Sequence, residues 1–255
     1  MPIAAEIYYH VFEGADAGEK PPVVTIHGAG GTHLDWPPEI RRLPGFRVYA
    51  LDLPGHGKSG GRGQQSISSY TQSILDWLDA ANLHRAIMIG HSMGSAIALS
   101  LALDHPEHIL GLGLVGAATH LQVPLDILES AGHPTTYFNA VQLMVSRAFS
   151  PSAPPELTEL AGQRMAETRP SVFYGDLLAS EAFDVSERAA EIQQPTLIIV
   201  GEDDIITPLR QAQFLLNSLP ASHLEVIPQA GHMVMQEKPL EVAAALVRLL
   251  NEITY

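Results

Sequence analysis

The sequence contains no cysteine, which excludes disulfides, thiolate metal sites and a cysteine nucleophile. It is also poor in basic residues. Fourteen Lys and Arg stand against 28 Asp and Glu, a formal net charge of −14. Such a chain offers no basic face to neutralise phosphates, so neither nucleic acid nor an anionic membrane is an expected partner. No stretch approaches the roughly 20 apolar residues of a membrane span. The opening MPIAAEIYYHVFEG has neither a basic region nor a long apolar run, so no signal peptide is expected. These absences lead to the expectation of a soluble, cytoplasmic protein. Its 255 residues, 46% of them hydrophobic, suffice for one domain with a sizeable core. The oligomeric state, monomer or dimer, stays open.

Short apolar runs alternate with helical patterns along the chain. Residues 7–12, 23–27, 46–52, 86–91, 109–116, 196–201 and 224–227 read as strands, several of them apolar on both faces. Between them, residues 68–81, 93–103, 209–216 and 240–253 read as helices. In the last, Leu240, Ala243, Leu246, Leu250 and Ile253 recur at three- and four-residue steps. The alternation predicts an α/β fold: a mostly parallel sheet of about eight strands flanked by helices. One segment, residues 119–191, carries no strand signal and is punctuated by prolines. It is expected to be a helical cap inserted after the sixth strand, the core domain being residues 1–118 and 192–255.

The strongest chemical signal is Gly90-His91-Ser92-Met93-Gly94. It lies between a predicted strand and a predicted helix, the context in which a nucleophilic serine is presented. Turning a strand directly into a helix forces Ser92 to a positive φ, costly for any residue but glycine. Glycines two before and two after leave room for the turn. The serine hydroxyl is thereby lifted to the carboxyl edge of the sheet, where open α/β folds bind ligands.

A nucleophilic serine needs a base, and the base needs an orienting carboxylate. His232, one of 12 histidines, is singled out by its place on the loop after the last strand. Glu202, Asp203 and Asp204 follow directly on the strand ending at Gly201. Successive residues point in different directions, so at most one faces His232. For the developing oxyanion, the backbone N–H of Met93 is in place because it opens the helix after the serine.

Two motifs mislead. Gly57-Lys58-Ser59 resembles the end of a phosphate-binding loop, but Asp52 stands where the first glycine is required. Gly111, Gly113 and Gly116 match a dinucleotide fingerprint but fall inside a strand, where they read as close-packing positions. No metal-ligand spacing exists among the histidines, so neither a metal nor a cofactor is expected.

Five ordered motifs together resemble the α/β-hydrolase-fold serine hydrolases of the small, cap-bearing, esterase-like kind. They are His27-Gly28-Ala29-Gly30-Gly31, the Asp52–Ser59 run, the serine elbow, the Gly201/Asp204/Pro208 stretch, and Gly231-His232 followed by Glu237 and Pro239. The resemblance spans nearly the whole chain. It implies Ser92 as nucleophile, His232 as general base and acid, and Asp204 as orienting acid, three residues after the glycine. It implies the N–H of Ala29 as second oxyanion donor beside Met93. Some relatives take the acid from an earlier strand end, but residues 116–119 (Gly-Ala-Ala-Thr) contain no carboxylate. A serine nucleophile sets the chain apart from haloalkane dehalogenases and epoxide hydrolases, which use aspartate there.

The expected activity is therefore hydrolysis of carboxylic esters with small to medium, mostly apolar substrates, through an acyl-enzyme. The alternatives are enol-lactone or carbon–carbon bond hydrolysis with the same triad, or a small-molecule receptor with a slow one. Tyr137, Phe138, Met144, Phe149, Met165, Phe173, Tyr174 and Phe183 are expected to form an apolar ceiling over Ser92, or to pack the cap on itself. A cationic grip on a charged substrate would have to come from Arg147, Arg164, Arg169 or Arg188.

Overall fold

The computed structural model describes residues 2–13 and 20–254. Met1, residues 14–19 and Tyr255 fall within the core-domain boundaries given above and lie outside the described residues. The strands are β1 (Ile3–Ala4), β2 (Ile7–Glu13), β3 (Val23–Ile26), β4 (Arg47–Leu51), β5 (Ala86–His91), β6 (Ile109–Val115), β7 (Thr196–Gly201) and β8 (Ser222–Ile227). The helices are α1 (Pro38–Arg41), α2 (Ile67–Ala80), α3 (Met93–Asp104), α4 (Leu125–Ala131), α5 (Tyr137–Ala148), α6 (Pro155–Ala166), α7 (Pro170–Glu181), α8 (Leu209–Ser218), α9 (Val234–Glu237) and α10 (Pro239–Glu252).

All eight strands join one sheet in the order β1-β2-β4-β3-β5-β6-β7-β8. The six strands from β4 to β8 in that order are parallel; β2 adds antiparallel to β4, and β1, antiparallel to β2, is the edge. The period-two pattern explains why this sheet is covered on both faces. In β5, Ala86 and Met88 pack into a cluster with residues of α2, α3 and α8. The intervening Ile87 and Ile89 pack into the opposite cluster with residues of α1, α9 and α10. The glycines inside β6 are close-packing positions. A Cβ on Gly111 would strike Ile253, and one on Gly113 would lie 2.9 Å from Leu246. The two-residue β1 carries too little pattern to be read from sequence.

Between β6 and β7 the chain forms four helices, α4 to α7, and no strand. They have a small core of their own around Ile127, Tyr137, Val141, Phe173 and Leu177. Among the described residues no helix is long and apolar enough to cross a membrane.

Candidate active site

The chain leaves β5 and enters α3 at Ser92, whose backbone sits at φ +52°, ψ −116°. For a non-glycine residue this conformation costs on the order of 1–3 kcal/mol and must be held by its surroundings. The holding contacts are visible. Ser92 N–H donates to Val115 O at 2.9 Å, and Ser95 Oγ donates to Gly90 O at 2.7 Å. A Cβ on Gly90 would run into the Gly94 carbonyl, and one on Gly94 into the Ile26 carbonyl. The two glycines of the motif are thus demanded by close backbone approach.

His232 follows β8 and is buried, as is Asp204 after β7. Its Nδ1 lies 2.9 Å from Asp204 Oδ2 and 3.1 Å from Thr207 Oγ1. Thr207 Oγ1–H donates a hydrogen bond to Asp204 Oδ2 at 2.7 Å. The carboxylate can only accept, so Nδ1 carries the ring proton and Nε2 is left as a free base. The other carboxylate oxygen accepts the N–H groups of Ile206 (2.9 Å) and Thr207 (2.8 Å). Burial works against the Asp204 charge, but His232 and these Thr207 donors outweigh it and hold its pKa below the ordinary value. Gly116, at φ +58°, leaves space for the ring: a Cβ there would lie 2.9 Å from His232 Cε1.

Asp203 and Glu202 do not join this group. Asp203 accepts from Ser150 Oγ at 2.6 Å, and Glu202 is exposed. Glu237 accepts the N–H of Gly231 (2.8 Å) and of Ser150 (3.0 Å), tying the histidine loop to the end of α5.

The loop after β3 folds against the elbow. Gly31 N–H donates to Gly28 O at 3.1 Å, and His27 Nδ1 lies 2.8 Å from the same oxygen. Leu53 N–H donates to His27 Nε2 at 3.0 Å, so the His27 proton is on Nδ1 and the ring is neutral. Burial, then the nearby His56 charge, lower its pKa to about 4. Among the described residues, the N–H groups of Ala29 and Met93 donate to no acceptor. Two amides beside the serine are therefore without an acceptor among the described residues.

Ser92, His232, Gly28 and Ala29 line one cavity of about 60 Å³, with Leu121, Val123, Met144, Met165, Leu177 and Met233 among its apolar walls. Of the eight residues expected to form the ceiling, only Met144 and Met165 reach it. The aromatics pack elsewhere: Tyr137 meets Phe173 edge-on at 5.9 Å within the insertion, Phe138 is 61% exposed, and Phe183 joins the main core. The ceiling is aliphatic and thioether instead, and methionines adapt their shape readily. None of the four candidate arginines lines this cavity. Arg147 is paired with Asp126 and Arg188 with Asp104 and Glu191. Arg164 and Arg169 donate to backbone carbonyls. The charged group that does line the cavity is Asp35, whose pKa burial raises to about 6.

His91, buried, also lines this cavity. Its Nε2 donates to His232 O at 3.1 Å, while its buried Nδ1 has no partner. Burial and the neighbouring His232 ring lower its pKa to about 3. The unfolded chain takes this proton below pH 6.5 and the folded chain does not, so falling pH favours unfolding. Between pH 7.5 and 5 this group should cost about 2 kcal/mol of stability. Denaturant unfolding of a His91→Gln variant should accordingly show a pH-dependent loss smaller by about 2 kcal/mol over that range. An unchanged pH slope would mean that His91 titrates normally in the fold.

The Thr207 contacts and the insertion residues that hold Gly30, Asp176 and Thr168, escaped sequence reading. Thr207 sits three residues after Asp204, a spacing at which its hydroxyl can return to the acid, and this could have been noticed. Gly30 N–H donates to Asp176 Oδ2 at 2.8 Å across 146 residues of chain, for which no local signal exists.

A family model described as alpha/beta hydrolase fold matches residues 21–239. A protein from Caulobacter provisionally named carbamate hydrolase RutD is 28% identical over 256 residues, covering 95% of each chain. A solved structure of a thermophilic esterase is 32% identical, with a TM-score of 0.81 and coverage of 96% of this chain and 98% of that one. The crystal structure of an enol-lactonase from Burkholderia xenovorans superposes with a TM-score of 0.90 at 23% identity, covering 98% and 100%.

Proposed function

For a chain that belongs to the α/β-hydrolase-fold family, we propose hydrolysis of carboxylic esters of small to medium, mostly apolar substrates through an acyl-enzyme. The observation that carries this reading is the 2.9 Å contact of His232 Nδ1 with Asp204 Oδ2, in a histidine that lines the same cavity as Ser92. In this reading Ser92 Oγ attacks the acyl carbon while His232 Nε2 takes its proton. The N–H groups of Ala29 and Met93 stabilise the oxyanion of the tetrahedral intermediate. Collapse expels the alcohol, which receives the proton from His232. Water, deprotonated by the same nitrogen, then releases the acid. The helices of residues 119–191 act as a cap whose inner surface selects the substrate.

Two features favour a neutral ester over a charged one. The cavity has apolar walls, and the charged side chain that lines it is the acidic Asp35, whose carboxylate accepts Thr32 N–H. Each buried CH₂ contributes about 0.8 kcal/mol, roughly fourfold in affinity, whereas a substrate carboxylate meets like charge and a desolvation cost. The expected profile is kcat/KM rising from acetyl to roughly butyryl–octanoyl p-nitrophenyl esters, then falling as the pocket fills. Monoesters of dicarboxylic acids should be poorer than neutral analogues of equal length at both low and high salt.

The panel that tests this contains graded p-nitrophenyl esters, a thioester, a lactone, a diketone and a carbamate. The last belongs there because attack on its carbonyl uses the same groups and because a relative bears that reaction in its name. Repeated turnover of the neutral esters above all other classes supports the proposal. Preferential turnover of the carbamate, lactone or diketone reassigns the substrate while leaving the triad in place. Stoichiometric binding without turnover would make the protein a receptor.

A further inference from the structure

Asp176 lies on α7, in the helical insertion, and is fully buried. Its Oδ2 accepts Gly30 N–H at 2.8 Å and faces His56 Nε2 at 2.7 Å. Its Oδ1 accepts the Tyr70 hydroxyl at 2.5 Å. His56 is equally buried, and its Nδ1 faces Pro54 O at 3.1 Å. Both ring nitrogens therefore face acceptors, as suits an imidazolium. Burial opposes that charge, but the carboxylate beside it outweighs burial and raises the His56 pKa. Burying such a pair is expensive unless every donor and acceptor is used. Here each is used, and one of the donors is Gly30 N–H.

The other side of Gly30 is held as well. Its carbonyl accepts Thr168 Oγ1–H at 2.9 Å, from the turn between α6 and α7. Gly30 stands at φ +67°, and a Cβ there would lie 2.6 Å from Phe173 of α7. Three successive peptide planes are thus anchored. The plane of Gly28 O is held by Gly31 N–H and His27, the next by Asp176, and the third by Thr168. The Ala29 N–H belongs to the first of these, and its direction follows from the other two through the φ and ψ of residues 29 and 30.

We propose that Asp176 and Thr168, both from the insertion, are positioning residues for the oxyanion donor Ala29, so that the insertion builds part of the oxyanion hole as well as roofing the substrate. This rests on the serine-hydrolase reading of Ser92 and Ala29. His56 and Tyr70 belong to the same device: they fix the carboxylate that fixes the loop. The end of the insertion around residues 165–176 is accordingly a docked part of the site.

The test separates positioning from folding. A phosphonate first counts active sites in wild type, Asp176→Asn, Thr168→Val and Thr168→Ser, so that rates are expressed per labelled serine. Asp176→Asn should lower kcat per site by about 10- to 100-fold, less than the ~10²–10³ lost when an oxyanion donor is deleted outright. KM should change less than threefold. The Ki of an alkyl boronic acid, which places an oxygen in the hole once bound to serine, should rise by about the factor by which kcat falls. Thr168→Val should move the same two quantities in the same direction, and Thr168→Ser, which keeps the hydroxyl, should restore them. Thr168→Val serves if Asp176→Asn does not fold. Unchanged kcat per site and boronate Ki in the folded variants, with only a lower Tm, would overturn the inference. Failure of the phosphonate to label wild-type Ser92 would instead remove the reading on which it rests.

Discussion

Ser92→Ala is expected to lower kcat for p-nitrophenyl butyrate by roughly 10⁴–10⁶-fold, because it removes the atom that forms the covalent intermediate. The residual rate should be the modest contribution of the oxyanion donors and substrate binding, which survive the change. The fold should survive too. The Ser92 contacts that shape the elbow are its backbone N–H to Val115 and its carbonyl to Ser95 and Ala96, all of which alanine keeps. The strained φ of +52° is shared by any L residue at this position, so stability should change by well under 1 kcal/mol. Circular dichroism and thermal unfolding together with steady-state rates check both halves. Near-complete turnover by a folded alanine variant would contradict the nucleophile assignment.

Asp204→Asn should cost roughly 10²–10⁴-fold in kcat, while Asp203→Asn should cost under about tenfold. The adjacent carboxylates differ in what they touch. Asp204 accepts a hydrogen bond from His232 Nδ1–H and so sets the tautomer that leaves Nε2 free. An asparagine there can turn its NH₂ toward Nδ1, which moves the ring proton to Nε2 and removes the base. Its carbonyl oxygen still accepts the N–H groups of Ile206 and Thr207, so the turn should persist. Asp203 takes only the Ser150 hydroxyl, which an amide oxygen accepts as well. Equal effects at the two positions, or reversed ones, would mean that the orienting acid has been assigned to the wrong residue.

Much of this site can be read from spacing because its constraints are local. Gly90 and Gly94 lie two residues from Ser92 and are required by the same tight turn, so the motif carries its own geometry. Asp204 differs: three neighbouring acids are chemically alike, and family resemblance alone distinguished them before the Thr207 and His232 contacts could. The sheet was legible wherever a strand is long enough to show a pattern, which β1 is not. Sequence left two readings of the insertion's aromatics, a ceiling over Ser92 or packing of the cap on itself, for a physical reason. A large ring buries its surface equally well against the insertion's own helices as against a substrate cavity, and composition cannot tell the two apart. Asp176 was invisible because a hydrogen bond across 146 residues leaves no periodicity. What links it to Gly30 is the docking of α7 on the core.

The most direct test of the account is the site and stoichiometry of covalent modification during turnover. The protein is treated with a fluorophosphonate while hydrolysis of p-nitrophenyl butyrate is followed, and the adduct is located by peptide mass spectrometry. One adduct per chain is expected, on Ser92, with activity falling in proportion to labelling. Full activity in protein labelled at Ser92, or inactivation by an adduct on another residue, would contradict it.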